Sequence, residues 1–85
     1  MKIDELITKY IRGAERVFQE IGQLPAEVHL NEEEAKNVFE SAKRYLEDAK
    51  YYQEKEKLET SLTSVAYCEG LLDALRMLGA VEFSW

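Results

Sequence analysis

Glu69 and Asp73 stand four residues apart late in the chain, with Arg76 three residues beyond Asp73. On a helix that spacing sets two carboxylates on one face, the arrangement by which helices offer oxygen ligands to a divalent cation. Like charges so placed also repel weakly, and Arg76 is close enough to offset them, so a self-neutralising charge stripe is favoured over a metal site. Glu32, Glu33 and Glu34 form a second acidic cluster directly after Asn31. Asn31 followed three residues later by Glu34 is the signature of a capping box, and acids in a first helical turn complement its positive end. A solvated helix start therefore accounts for that cluster better than a cation site.

Other chemistries find few residues to use. Cys68 is the only cysteine and His29 the only histidine. Together they cannot furnish the nitrogen and sulfur ligands of a structural zinc, and no spacing places a nucleophile beside the imidazole. Cys68 also falls on an apolar stripe, where cysteine behaves as a small buried hydrophobe. Asp48 and Asp73 would lie several turns apart on facing helices and cannot share a proton. Of the five tyrosines, Tyr45, Tyr52 and Tyr67 lie at or beside apolar stripes, where aromatics fill cores rather than stack on ligands. The expectation is a protein without enzymatic activity, metal or cofactor.

These side chains are positioned by helices. Ile3, Leu6, Ile7, Tyr10, Ile11, Ala14, Val17, Phe18 and Ile21 recur at spacings of three and four, which predicts a first helix over residues 3–21 with one apolar stripe. Gly22 ends it, and a connector over 22–31 holds the only proline, Pro25, with Val28 and Leu30 tucked beneath. Helix 2 over 32–54 carries Ala35, Val38, Phe39, Ala42, Tyr45, Leu46, Ala49 and Tyr52 on one stripe. A turn at Lys55, Glu56 and Lys57 leads into helix 3 over 58–78.

If the chain reverses there, residues whose numbers sum to about 112 are level across the hairpin. Ala42 then meets Gly70, Tyr45 meets Tyr67, and Lys43 reaches Glu69. A glycine inside a helix needs a packing reason, and close approach of two backbones is one. Leu58, Leu62 and Val65 are expected to carry the contact in the first half of helix 3, where Thr60, Ser61, Thr63 and Ser64 are small. Its second half is apolar nearly all round, which calls for cover on several sides from helix 1, the tail 79–85 and a second copy of the chain. Val81, Phe83 and Trp85 lie on one side of that tail, and the expectation is that it folds back.

At 85 residues this is one domain, 1–85, with a thin core. Apolar residues make up 46% and charged residues 33%, a folding composition, and 17 acids against 11 bases give a net charge of -6. That sign repels phosphate backbones and argues against nucleic acid as a partner. No apolar run spans a membrane, and the start MKIDEL is unlike a signal peptide, so a soluble, cytoplasmic protein is expected. High Glu and Lys content suits a thermophile.

The residues Tyr45, Asp48, Ala49 and Tyr52, followed by Ala66, Tyr67, Gly70, Leu71, Leu72, Asp73, Ala74, Leu75, Leu78 and Gly79, carry a resemblance. From about Ala35 to Gly79 the chain resembles the short archaeal proteins of the domain of unknown function 357 family, most specifically in the segment YCEGLLDALRMLG. The resemblance implies an all-helical bundle in archaeal cytoplasm and brings no established activity. Members often have alanine and histidine before that glycine where this chain has Cys68 and Glu69, so no role resting on an imidazole carries over. The hairpin is also similar to a single tetratricopeptide unit, but no second copy of the repeat follows. It is similar again to small helical domains paired with nucleotidyltransferases, of which those that cleave RNA carry a histidine shortly after an arginine; Arg76 has none behind it.

The sequence thus predicts an all-α, antiparallel three-helix bundle built on a C-terminal helical hairpin. Its expected role is a small non-catalytic protein-interaction module that self-associates as a dimer or binds a protein partner. Tyr67, Glu69, Gly70, Leu71, Asp73, Arg76 and Leu78 form its candidate surface. The alternative is an accessory subunit of a nucleotide- or RNA-processing enzyme, docked through Glu69, Asp73 and Arg76.

Overall fold

The computed structural model describes residues 2–85. Three helices follow one another, α1 (Ile3–Ile21), α2 (Glu32–Glu54) and α3 (Leu58–Met77), and the described residues contain no strand. The all-α class and the helix bounds agree with the sequence reading, except that Leu78 caps α3 instead of extending it.

Local chemistry explains each boundary. The Asn31 side chain accepts from the Glu34 backbone N–H at 2.8 Å, and the Glu34 carboxylate accepts from the Asn31 N–H at 3.4 Å, which completes the capping box of α2. The reversal after α2 is a Schellman turn: the Lys57 N–H reaches back to the Tyr52 carbonyl at 2.9 Å and the Glu56 N–H to that of Gln53 at 3.0 Å. α3 ends in the same motif, with Ala80 bonded to Leu75 and Gly79 to Arg76. Its left-handed position is filled by Gly79 at φ 78, whereas the hairpin turn places Glu56 there at φ 59.

α2 and α3 pack antiparallel along their length, and theirs is the only packing between helices among the described residues. The seam consists of small side chains: Ala42, Ala49, Ser64 and Cys68 are buried, and Leu75 is the one large side chain fully enclosed among the described residues. Ser61 donates its hydroxyl to the Ala49 carbonyl at 2.7 Å, tying the helices together near the turn. Leu58 and Leu62 do not carry this contact. They point outward, 65% and 69% exposed, because Ser61 and Ser64 face α2 and let the backbones close up. Of the residues expected there, Val65 is half-buried.

α1 touches neither α2 nor α3. Its apolar stripe lies open, with Tyr10 61% and Phe18 75% exposed, and the cover that α3 was expected to draw from helix 1 is absent. Val28 and Leu30 are exposed as well rather than tucked beneath the connector. The physical reason is that three-and-four spacing marks one face of a helix as apolar without naming what that face packs against. The radius of gyration is 15.4 Å, against about 12 Å for a compact chain of this length.

Candidate functional site

The charge stripe on α3 is built from two of its three expected members. Arg76 donates to the Asp73 carboxylate at 3.1 Å, and the Trp85 indole N–H donates to the same oxygen at 2.9 Å. The tail folds back as expected: Phe83 and Trp85 meet edge to face at 5.1 Å, and the Arg76 guanidinium lies 5.3 Å from the Phe83 ring. The Trp85 hydrogen bond, followed by the one from Arg76, holds the Asp73 carboxyl below its ordinary value. Glu69 is exposed and joins no ion pair among the described residues, so Arg76 neutralises Asp73 alone. Among the described residues, no three His, Cys, Asp or Glu side chains gather where they could hold a metal ion.

Tyr67, Gly70 and Leu71 come together, and with Ala66 they line a shallow groove of about 350 Å³ on the side of the hairpin where Tyr67 stacks on Tyr45. That stack, 5.1 Å between ring centroids and 17° from parallel, is the contact expected from the hairpin register. Gly70 does not approach Ala42: it is exposed, and a side-chain carbon built on it would meet nothing within 4 Å. It follows Cys68 by two residues and so is turned about 200° away from the seam. Lys43 turns from Glu69 to Glu40, at 4.0 Å, and lies over the Phe39 ring at 4.9 Å. Leu78 is exposed at the end of α3, apart from the groove.

The only thiol is sheltered. Cys68 is buried in the seam, and burial, reinforced by the neighbouring Glu69 charge, raises its thiol above the ordinary value, so the reactive thiolate is disfavoured. His29 lies in the connector with its imidazole 3.9 Å from the Glu27 carboxylate, both side chains solvated. The hollow of about 450 Å³ over Glu40, Lys43, Arg44 and Glu47 is space between the exposed side chains of α2 and encloses nothing.

Two exposed apolar surfaces lie outside the candidate surface read from the sequence. One is the α1 stripe. The other is the edge of the hairpin opposite the Tyr45–Tyr67 stack, where Phe39 and Leu46 of α2 and Leu58 and Leu62 of α3 are all exposed. At about 100° per residue these four turn away from the seam in the sense opposite to Tyr45 and Tyr67, which puts them on one side. The outward leucines were concealed by the assumption that the larger apolar residues must face in.

No described helix is long and apolar enough to cross a membrane. Comparison with curated proteins and with solved structures finds no match. A family model described as protein of unknown function (DUF357) matches residues 9–81, which takes in most of α1, the connector, the whole hairpin and the first turn of the tail. The match thus extends well beyond the segment that carries the sequence resemblance, and the chain belongs to this DUF357 family.

Proposed function

We propose that this protein is a small non-catalytic interaction module that works by associating with a second copy of itself. The observation that supports the reading is the open apolar stripe of α1: Ile3, Ile7, Tyr10, Ile11, Val17, Phe18 and Ile21 all face water in the single chain. Contiguous apolar surface on this scale marks an interaction site in a soluble protein. The sheltered thiol and the solvated imidazole give no support to a nucleophilic reaction. The Tyr67, Gly70 and Leu71 groove and exposed Leu78 add smaller apolar areas on α3. The protein is read as cytoplasmic, where Cys68 stays a thiol. The alternative, an accessory subunit docked through Glu69, Asp73 and Arg76, draws less support because Trp85 and Phe83 already engage Asp73 and Arg76.

Light scattering of the purified full chain tests the reading. The expected mass is about 20 kDa, twice the 9.9 kDa of one chain. A mass of one chain refutes self-association.

A further inference from the structure

We infer that the dimer forms by reciprocal exchange of α1, each copy laying its first helix along the hairpin edge of the other. The inference rests on the self-association reading and adds to it which surfaces meet. α1 presents a stripe of large apolar residues and packs against neither α2 nor α3. The hairpin offers a second exposed apolar strip on the side away from the Tyr45–Tyr67 stack, where Phe39 and Leu46 of α2 are followed along the hairpin axis by Leu62 and Leu58 of α3, with the Lys43 ammonium over the Phe39 ring at one end. The two elements match in length, since α1 has 19 residues and α3 has 20, about 28 and 30 Å respectively. On the α1 side charge does not oppose the meeting, since Asp4, Glu5, Lys9, Arg12, Glu15, Arg16 and Glu20 all lie away from its apolar stripe and carry both signs; on the hairpin side Lys43, Lys50 and Glu69 flank the strip, again with both signs.

The exposed area selects the occupant. One chain exposes 7640 Å², whereas a compact monomer of its mass exposes about 5,200 Å². The surplus, about 2,400 Å² per chain, amounts to about 4,800 Å² for a pair, the burial typical of obligate homodimers. A second copy can provide that area symmetrically, because each copy brings one donor helix and one acceptor edge and the two contacts close around a two-fold axis.

Complementation between two variants tests the exchange. Ile7→Glu/Ile11→Glu spoils the donor helix, and Leu58→Glu/Leu62→Glu spoils the acceptor edge at side chains that the single chain leaves in water. Each variant alone should scatter at about 10 kDa with the helical circular dichroism of the α2–α3 hairpin retained. An equimolar mixture should rise toward 20 kDa, because the intact α1 of one chain can still seat on the intact edge of the other. If the acceptor variant remains dimeric while the donor variant does not, α1 pairs with α1, and exchange is wrong although self-association stands. If the mixture stays at one chain mass, or the wild type exceeds two, reciprocal exchange is overturned. Failure of the underlying reading has its own signature, a wild-type chain that is monomeric before any substitution.

Discussion

Replacing Glu56 by glycine should stabilise the hairpin by about 0.5 to 1 kcal/mol. Glu56 occupies the left-handed position of the turn between α2 and α3, at φ 59, where the Cβ of an L residue crowds the following carbonyl and costs roughly 1–2 kcal/mol. Glycine removes that strain and gives back about half of it through its greater freedom in the unfolded chain. The carboxylate itself contributes little to the balance, lying between the negative end of α2 and the positive start of α3, whose dipoles act on it in opposite senses. For a domain of this size the gain corresponds to a rise in Tm of about 2–8 °C. Thermal unfolding followed by circular dichroism, at one fixed chain concentration so that association contributes equally, measures it. Glu56→Ala is the control, since it removes the charge, keeps the Cβ and should leave Tm nearly unchanged. A glycine variant no more stable than the alanine variant refutes the strain. One less stable by about 1 kcal/mol shows that residues 55–57 belong to a continuous helix, where glycine is a poor residue.

Two further substitutions probe α3 and the tail. Asp73 has its carboxyl held low by Trp85 and Arg76, so its contribution to tail docking is complete above the ordinary aspartate range and fades as pH falls through the lowered value. The anisotropy of Trp85 fluorescence should therefore drop on acidification, and Asp73→Asn, which keeps an acceptor but cannot titrate, should abolish that step; a step of equal size in the variant assigns it to another group. Gly70→Ala should raise stability by up to about 1 kcal/mol through helix propensity alone, because the site is open, and should leave the mass by light scattering unchanged. Destabilisation in urea unfolding would restore the close approach to Ala42 that the structure denies.

What the sequence revealed and what it concealed divide along a physical line. Helix ends, the Asn31–Glu34 capping box and the Arg76–Asp73 pair depend on neighbours within one turn of chain, and all of them are present. The hairpin register was legible too, as the stacked Tyr45 and Tyr67 show. A register, however, sets which residues are level, not how each helix is rotated about its axis. Ala42 and Gly70 are level by the same arithmetic, yet Ala42 is 1% exposed and Gly70 faces water. Near the turn, side-chain size does not mark the inside of the hairpin. Ser61 instead satisfies its hydroxyl on the Ala49 carbonyl, and small groups allow a closer seam than Leu58 and Leu62 would. The candidate surface was affected in the same way: Asp73 and Arg76 belong to the tail contact, while the α1 stripe, expected to be covered, lies open.

The thinness of the seam and the openness of α1 are two sides of one energetic problem. Full burial of a large apolar side chain stabilises by about 1.5–3 kcal/mol, and among the described residues of the single chain only Leu75 reaches that state. Ordering a residue costs roughly 1–2 kcal/mol of backbone entropy, and in proteins most helical stability comes from packing an amphipathic face rather than from helix propensity. Its own capping adds little, since Lys2 provides no side-chain hydrogen bond at the start. The exposed stripe is thus the largest remaining source of stabilisation, and it acts only against a second apolar surface. On this reasoning the folding of α1 and the association of two chains are one equilibrium: the interface holds the helix in shape, and separation of the copies removes the burial that keeps it helical.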